Sequence, residues 1–567
     1  MGNGPCFRKM RPMTEWAGKI KSSLSHMNKI KLQPVQSGLL ALPVAALALV
    51  LGACGLKAPD NPNSNVSNDT SFEVVEATIA DVQDAILTGR TSCQAVVEAY
   101  LERIQTYDKA SSLNAITEIN PRALQRAADI DKAVTNGDPL GPLFCAPILV
   151  KDNFDTHDLP TTGGSIALAN NLPPDDAFMV RKLREADAIV LAKTNMAEWA
   201  FSPQQTISSS YGVTANAYAL DRVPAGSSGG TASGVAASFG VAGLGTDTGN
   251  SVRGPSSHLA LVGLRPTLGL VSRDGVIPLV FDRDVAGPMA RTVEDAARLL
   301  DVVAGHDPND PLSEVAKREK NYTNYLKADG LAGARIGVLR AQAEPEDTDP
   351  EILALFEAAL EDLRTAGAEL VDRFEVPNWS VHAGADSFCG TFRYDMAQYL
   401  KTLGETAPMH DVKEAFDAGL YSEQARENFE WYLQYPADVA QTDWSEPCPV
   451  FLDHPARRSF LNEVTTAMDE AAVDALVFPT WRYPPAHLDR GSEDYRGDNS
   501  QLIAPSTGMP AITVPMGFNG DGLPAGLQIL GRRYSDGLLI QFAYAYEQMT
   551  RHRKPPAGFP SLPLSRR

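Results

Sequence analysis

The sequence of 567 residues contains few of the residues from which metal and cofactor sites are usually built. It has six cysteines and nine histidines. The motifs C-x-x-C, H-E-x-x-H, S-x-x-K and G-x-x-x-x-G-K-[ST] do not occur in it. Their absence argues against a zinc site, a β-lactamase-like hydrolase and a P-loop nucleotide site, because each needs its residues at the spacing that the motif gives. We therefore expect no cofactor and no metal.

The longest apolar segment is too short to span a membrane. It runs from Gly38 to Leu51, about 14 residues that include Pro43, whereas a transmembrane helix needs roughly 20. A basic stretch at residues 27–31 precedes the segment, and Cys54 follows it after small residues. This is the layout of a secretory signal, and the cysteine makes it resemble a bacterial lipoprotein signal. The resemblance implies translation from Met27, removal of residues 1–53 and a lipid anchor on Cys54.

On that interpretation the protein is exported and anchored to the bacterial cell envelope at its periplasmic face. Gly55 stands where an aspartate is associated with retention at the inner membrane, which favours the outer membrane. Simple secretion and an uncleaved anchor remain the alternatives. Residues 54–74 are rich in Asn, Ser, Pro and Asp and predict a flexible tether.

The rest of the chain is strongly acidic. Residues 1–53 carry seven Lys and Arg and one Glu, a net of +6, so the formal charge of −20 becomes about −26 without them. Such a charge repels nucleic acid and anionic lipid surfaces, which leaves a small molecule as the expected partner and the lipid as the membrane contact. The sequence does not fix the oligomeric state. The four cysteines in this part show no disulfide framework, although one bridge is possible in an exported protein: Cys93, Cys145, Cys389 and Cys448.

Two glycine-flanked serine loops are the most informative feature of the chain. They are GSSGG at residues 226–230 and GTDTGNS at residues 245–251, and the small residues between them predict a helix. Glycine permits close approach of another group and turns of the backbone that point amides inward. Loops of this kind bind or stabilise negative charge.

A serine in such a loop needs a partner that takes its proton, usually a histidine. No histidine has a recognisable catalytic setting, and His258 is better interpreted as a structural residue. Lys151 closes the apolar run at residues 145–150 and is followed by Asp152 and Asn153. Because burial favours the neutral form of a lysine, Lys151 is a candidate base.

The motifs that carry these residues resemble the amidase signature family of serine hydrolases. The likeness covers roughly residues 75 to 550. It rests on seven segments: ILVKDN at 148–153, AGSSGG at 225–230, GTDTGNSVR at 245–253, VGLRPT at 262–267, GPMART at 287–292, GMPAITVP at 508–515 and GLPAGLQ at 522–528.

The resemblance implies that Ser251 is the nucleophile, that Ser227 on a cis peptide relays its proton, and that Lys151 is the final base. The backbone N–H groups of Thr248, Gly249, Asn250 and Ser251 would hold the oxyanion. Asn250 departs from the family pattern, which usually has a second glycine there. Its side chain either narrows the site or adds a donor.

Three further residues are expected to support the site rather than to react. Ser228 is expected to hydrogen bond within the Lys151 and Ser227 network, and Asp247 and Arg253 to brace the second loop as an ion pair. A different interpretation takes GSSGG as a G-x-S-x-G nucleophile elbow with Ser228 as nucleophile. That motif requires an apolar strand before the turn, and residues 219–224 are broken by charge and proline.

The fold class is predicted to be α/β. Capped amphipathic helices are predicted at residues 78–89 and 92–108, and short apolar strands at 148–150, 188–192, 335–339 and 473–478. Strands alternating with helices favour a largely parallel, covered sheet. The family resemblance implies one large α/β/α sandwich around a mixed sheet of about eleven strands. We assign residues 75–555 to this domain, with a helical region at about 380–470 roofing the active site, and residues 556–567 to a tail.

The function predicted from the sequence is hydrolysis of a carboxylic amide, including a peptide amide, to an acid and ammonia or an amine. Hydrolysis of esters or carbamates by the same residues is one alternative. A second is the amidase subunit of an amidotransferase, although export would separate it from cytoplasmic tRNA. A third is a lipoprotein that binds an amide without hydrolysing it, which the unusual Asn250 motivates.

Overall fold

The computed structural model describes residues 72–562 except 316, 317, 320 and 386, with the side chains of 314 and 315 also left out. The predicted signal region 1–53, its start at Met27, the lipidation site at Cys54 and residues 54–71 of the tether lie outside the described residues. The predicted end of the tether at residue 74 is wrong, because Val74 is buried in the core and Phe72 packs against the same cluster.

Thirteen strands occur in the described residues, and eleven of them form one mixed sheet. The sheet order is β1-β3-β2-β6-β8-β7-β12-β13-β11-β9-β10, while β4 and β5 pair separately. The strands are β1 (Ile116–Ile119), β2 (Pro147–Lys151), β3 (Ile189–Thr194), β4 (Ile207–Ser208), β5 (Gly212–Val213), β6 (Ala242–Asp247), β7 (Val262–Arg265), β8 (Val285–Ala290), β9 (Arg335–Val338), β10 (Glu369–Val371), β11 (Ala475–Pro479), β12 (Ala511–Phe518) and β13 (Pro524–Gly531).

The mixed sheet of eleven strands agrees with the expected fold, but the sheet is not largely parallel. Strand β2 pairs in parallel with β3 and β6, and β9 pairs in parallel with β10 and β11. The other neighbouring pairs are antiparallel. The prediction fails here because strand direction depends on how distant segments pair, which a local pattern of strands and helices does not encode.

Helices cover both faces of the sheet. They are α1 (Ile79–Leu87), α2 (Cys93–Tyr107), α3 (Ala123–Asn136), α4 (Phe178–Glu185), α5 (Gly229–Ala236), α6 (Arg253–His258), α7 (Val293–Val303), α8 (Pro350–Thr365), α9 (Trp379–Ala383), α10 (Phe392–Thr402), α11 (Val412–Asp417), α12 (Arg426–Tyr432), α13 (Pro455–Glu470), α14 (Ile503–Thr507) and α15 (Asp536–Thr550). Within the described residues none is long and apolar enough to cross a membrane.

Strand β2 shows how the two apolar layers arise. Successive side chains of a strand point to opposite faces. Ile148 and Val150 join the larger core cluster with α7, α8 and α15, whereas Leu149 joins a second cluster with α1, α2 and α3. Helix α5 packs closely on this second face, where a Cβ at Gly234 would lie 2.8 Å from a methyl carbon of Leu149. The result is an α/β/α sandwich with Lys151 at the end of a fully buried strand.

The two helices and four strands predicted from local sequence signals are present in the structure. Thr78 and Ser92 cap α1 and α2 with their side-chain oxygens, as their sequence positions predict. The sequence predicts only a helix between the two serine loops, yet this segment contains α5 and then strand β6. The glycines and other small residues of β6 give no strand signal in the sequence. The segment is a strand because it pairs with β2 and β8.

The helical, aromatic-rich region forms a core of its own. Helices α10, α11 and α12 pack with Trp199 and Phe201 in a third apolar cluster. Two disulfides are present, Cys93–Cys145 and Cys389–Cys448, the second of which closes a loop within this region. The sequence analysis finds no disulfide framework and allows only that one bridge is possible, because cysteine pairing cannot be deduced from spacing alone.

The predicted tail at residues 556–567 is partly wrong. Phe559 is buried against Phe239 and Tyr107, and Arg103 donates hydrogen bonds to the carbonyls of Phe559 and Pro560 at 2.9 and 2.8 Å. Residues 556–562 therefore belong to the folded body, and residues 563–567 lie outside the described residues.

Candidate active site

Lys151 and Ser227 are in direct contact in the core of the protein. Lys151 is the last residue of β2, and Ser227 lies just before α5, which packs on that strand. Lys151 Nζ is 2.7 Å from Ser227 Oγ, and both side chains are fully buried. The peptide bond between Gly226 and Ser227 is cis. The structure thus brings together the predicted base and the predicted relay.

The environment of Lys151 favours an uncharged amine. Burial lowers the pKa of Lys151 to about 7, although the carboxylates of Asp284 and Asp247 oppose this effect. Thr246 Oγ1 lies 2.7 Å from Lys151 Nζ and also accepts a hydrogen bond from Asn153 Nδ2 at 3.0 Å. Since Thr246 accepts one N–H of the amine, the nitrogen lone pair is left for the hydroxyl proton of Ser227.

Lys193, a second buried lysine on the neighbouring strand β3, differs from Lys151 in its contacts. Lys193 Nζ lies 3.5 Å from Asp152 Oδ1 and donates to the carbonyl of Phe154 at 2.7 Å and to Thr161 Oγ1 at 2.8 Å. Burial lowers the pKa of Lys193 as well, but the adjacent carboxylate of Asp152 opposes this effect and stabilises the charged form. Lys193 is therefore suited to a structural role, whereas Lys151 has no carboxylate of the described residues in contact.

The second serine loop lines a pocket. Within the described residues, the N–H groups of Thr248, Gly249, Asn250 and Ser251 donate to no backbone or side-chain acceptor. Two carbonyls of this loop accept hydrogen bonds. Arg253 donates to Gly249 O at 2.7 Å, and Gly254 N donates to Asn250 O at 2.7 Å. Four successive free donors at one site form a cradle for an oxyanion.

The side chain of Gln501 fills the space beside Gly249. A Cβ at this position would lie 2.0 Å from Oε1 of Gln501. Asn250 does not have a positive φ, so the loop does not need a glycine there for its backbone shape.

The side chain of Asn250 holds the hydroxyl of Ser251. Asn250 Oδ1 accepts a hydrogen bond from Ser251 Oγ at 3.3 Å. Its Nδ2 donates to Asp498 Oδ2 at 2.8 Å and to the carbonyl of Pro203 at 3.1 Å. Of the two roles that the sequence leaves open for Asn250, the added donor is thus excluded in this arrangement, because the amide N–H groups are turned away from Ser251.

A buried ion-pair network supports the second serine loop and consists of Asp247, Arg253 and Arg265. Arg253 Nε and Arg265 NH1 lie 3.1 and 2.9 Å from the Asp247 carboxylate, and all three side chains are fully buried. Burial alone would raise the pKa of Asp247, but the two arginines hold it at about 2. The carboxylate is therefore charged and fixes the strand end from which the loop begins.

Ser228 and His258 lie in settings that fit support rather than catalysis. Ser228 is fully buried and its hydroxyl donates to the carbonyl of Thr246 at 3.3 Å. No strand of the described residues precedes it at 219–224, so the context of a nucleophile elbow is missing. Burial lowers the pKa of His258 to about 3, and its ring packs against Trp481 with centroids 4.4 Å apart.

A pocket of about 280 Å³ opens above the loop. One wall is the loop itself, and another comes from the helical region, in which α12 contributes Trp431 and Tyr432. Trp431 is 37% exposed, at the rim. The lining residues are Ala200, Phe201, Pro203, Thr248, Gly249, Asn250, Ser251, Leu279, Arg283, Phe388, Asn428, Trp431, Tyr432 and Gln501.

One group of side chains in the described residues has the proximity that metal ligands need. The ligand atoms of His157, Asp158 and Asp176 lie within 4.8 Å of one another. His157 Nδ1 is 2.9 Å from Asp176, and Arg184 pairs with both carboxylates at 2.6 and 3.0 Å. The guanidinium of Arg184 thus already neutralises part of the charge of this cluster, and Asp158 Oδ2 is left without a hydrogen-bond partner.

Several residues of the site have no role in the sequence analysis. Thr246 lies inside one of the matched motifs, where its hydroxyl gives no separate signal. Asp284 accepts the hydroxyl of Thr248, and Gln501 and Arg283 reach the pocket from distant segments. Only the packing of those segments brings them to the site, so no local pattern could have identified them.

Comparison with known proteins identifies the family of the chain. The family described as Amidase matches residues 95–540. The chain is 32% identical over 513 residues to a probable amidase of Arabidopsis thaliana, a match that covers 87% of this chain and 94% of the relative. It is 33% identical over 505 residues to a glutamyl-tRNA(Gln) amidotransferase subunit of Thermosynechococcus vestitus, with 84% of this chain and 99% of the relative covered.

Solved structures of amidases also match the chain. The native peptide amidase of Stenotrophomonas maltophilia matches with a TM-score of 0.74 and 36% identity, over 85% of this chain and 98% of that one. An amidase family protein of Bacillus anthracis matches with a TM-score of 0.74 and 30% identity, over 85% and 92%. The family match spans the sandwich and both serine loops, and the chain therefore belongs to the amidase family.

Proposed function

We propose that the protein is an amidase that hydrolyses a carboxylic amide to an acid and ammonia or an amine. The observation that carries the proposal is the pairing of a buried lysine of lowered pKa with Ser227, beside a loop of four free N–H donors that ends at Ser251. One group accepts a proton and the other stabilises negative charge. Acyl transfer needs both.

The proposed reaction begins with attack of Ser251 Oγ on the amide carbonyl. The Ser251 proton passes to Ser227, whose own proton passes to neutral Lys151, and the carbonyl oxygen becomes an oxyanion on the loop. Lys151 then returns the proton through Ser227 to the leaving amine as the C–N bond breaks. Water repeats the sequence on the acyl-enzyme and releases the acid. The step requires the Ser251 hydroxyl to turn from Asn250 to Ser227.

Labelling with a fluorophosphonate tests this proposal. The reagent is expected to modify Ser251, and the Ser251→Ala variant should be neither labelled nor active on simple amides. The Ser228→Ala variant is the matched control, since it changes the neighbouring loop but leaves the proposed nucleophile. Labelling at Ser228, or full activity without Ser251, would overturn the mechanism. Esters and carbamates assayed beside the amides would establish which carbonyl compounds the site accepts.

The similarity to an amidotransferase component favours a second candidate. Such a component would release ammonia from an amide for a partner protein instead of acting alone. The isolated protein would then hydrolyse amides only weakly, and activity would rise when the partner protein is added. Strong turnover by the purified chain alone argues for the first candidate.

We also propose that the protein is exported and held in the cell envelope by a lipid on Cys54. The two disulfides support this location, because disulfides persist in oxidising compartments. The wild-type chain is expected in the membrane fraction and the Cys54→Ala variant in the soluble periplasmic fraction. Finding the wild type in the cytoplasm would contradict export and revive the amidotransferase alternative.

A further inference from the structure

Arg283 is a buried cation that lacks a partner among the described residues. The residue is only 5% exposed and lines the same pocket as Ser251. Its guanidinium makes no hydrogen bond or ion pair with any residue in the described part of the chain. The guanidinium carbon lies 5.1 Å from the ring centroid of Phe388, so one face of the group is covered by an aromatic wall.

The carboxylates on either side of Arg283 are engaged elsewhere. Asp282 forms an ion pair with Arg457 at 3.0 Å and also accepts a backbone N–H. Asp284 accepts the hydroxyl of Thr248 and two backbone N–H groups at 2.8 and 3.1 Å. Neither carboxylate is left to neutralise the guanidinium.

The surroundings make this position favourable for an anion. Burial lowers the pKa of Arg283 to about 9, and the neighbouring Arg457 lowers it further than Asp282 raises it. The group still carries its charge at neutral pH. A buried charge without a partner is costly, so an anion that enters the pocket gains a strong interaction.

We propose that Arg283 binds a carboxylate of the substrate, and that the preferred substrates are amides that carry a carboxylate close to the scissile carbonyl. The proposal deepens the proposed function and rests on it. Arg283 and the oxyanion loop line one small pocket, so the carboxylate and the reacting carbonyl belong to one molecule. A guanidinium presents two parallel N–H groups that match a carboxylate.

The overall charge of the chain cannot account for a preference for anionic substrates. The formal net charge is −20, which disfavours anions at the surface as a whole. Selection of an anionic substrate therefore has to come from the pocket. Within it, Arg283 is the cationic side chain among the lining residues described by the structure.

The test compares matched substrates that differ only in charge. A series of ω-carboxy amides with two to five methylenes is assayed for ammonia release beside amides with an isopropyl group in place of the carboxylate. We expect kcat/KM of the wild type to favour the carboxylated member of a pair at least tenfold. The ratio should fall about 30-fold or more in Arg283→Met and be partly kept in Arg283→Lys. Arg122→Met removes an exposed arginine outside the pocket and should leave the ratio unchanged.

A binding measurement accompanies the kinetics. Glutarate should raise the melting temperature of the wild type, and this shift should be absent in Arg283→Met. The same melts without ligand show whether the variant folds, and replacing an unpaired buried charge is expected to leave stability unchanged or higher.

Turnover of both members of a pair at equal kcat/KM, with the same ratio in Arg283→Met, would overturn the assignment of Arg283 and leave the proposed function standing. Absence of turnover for every amide in the series and for simple amides would remove the proposed function, and the substrate class with it.

Discussion

Lys151 Nζ and Ser227 Oγ lie 2.7 Å apart in a fully buried position, and no carboxylate of the described residues contacts the amine. An ammonium in that place would lack the partner that a buried charge needs. This contact therefore favours the neutral form of Lys151. The first two predictions below follow from that protonation state.

The activity should depend on pH through Lys151. Its pKa of about 7 means that the neutral base is the minor form below this pH. We expect kcat/KM for an uncharged amide to rise about tenfold per pH unit below pH 7 and to level off above it. The measurement is a rate profile from pH 5 to 9 at constant ionic strength, with melting curves to exclude unfolding. A flat profile would contradict the assignment of Lys151 as base.

Replacing Lys151 by methionine should abolish activity and raise stability. An unfolded lysine titrates near 10.5, well above the folded value of about 7, so folding below pH 7 carries the cost of burying the charge. The unfolding free energy of the wild type consequently rises with pH between these two values. The gain of the variant should be a few kcal/mol below pH 7 and shrink toward pH 10, as denaturant unfolding would measure.

Lys193→Met is the matched control for this stability change. It also removes a buried lysine from a strand of the main sheet, but it leaves the carboxylate of Asp152 without its cation. Breaking a buried pair typically costs about 3–5 kcal/mol, so this variant should be destabilised. If both variants changed stability in the same direction, the distinction between an unpaired and a paired lysine would be wrong.

Asn250→Gly should speed the chemical step and weaken the fold. The change frees the Ser251 hydroxyl from Asn250 Oδ1 and removes a donor from the partly buried Asp498. A hydrogen bond of about 0.5–1.5 kcal/mol corresponds to a rise in kcat of about 2- to 10-fold. Loss of the Asp498 contact should cost about 1–3 kcal/mol of stability. A fall in kcat at saturating amide would instead mean that Asn250 holds Ser251 in a productive position.

The two disulfides should differ in their effect on the pocket. Cys389 follows Phe388, a lining residue, and its bridge to Cys448 closes 59 residues of chain. Cys93–Cys145 closes 52 residues and joins α2 to the segment before β2. Each double serine variant should lose about 2–5 kcal/mol of stability. Only removal of Cys389–Cys448 should also raise KM, and equal KM values would contradict this.

Local signals in the sequence predict part of the fold. The caps at Thr78 and Ser92 and the apolar run of β2 are encoded in neighbouring residues, and the structure has helices and a strand there. Strand β6 escapes such a prediction because its sequence, AGLGTD, has two glycines and only one β-branched residue, Thr246. Its strand conformation comes from the two neighbours with which it pairs.

The residues of the site likewise divide into those that local motifs identify and those that only the folded structure reveals. The motifs identify Lys151, Ser227 and Ser251 as candidates, and the structure brings the first two into contact while Ser251 bonds to Asn250. In the sequence, Arg283 is indistinguishable from an ordinary charged residue in a loop. Its lack of a partner emerges only when distant segments enclose it, since a sequence does not show which charges remain unpaired.

Helix α2 holds both ends of the folded body. The hydroxyl of Tyr100 donates to the carbonyl of Val74 at 3.2 Å, and one turn later Arg103 binds the carbonyls of Phe559 and Pro560. The two ends consequently emerge from one region of the surface. A short linker can join them, and a circularly permuted chain opened at the exposed residues 520–522 would keep every contact of the two serine loops.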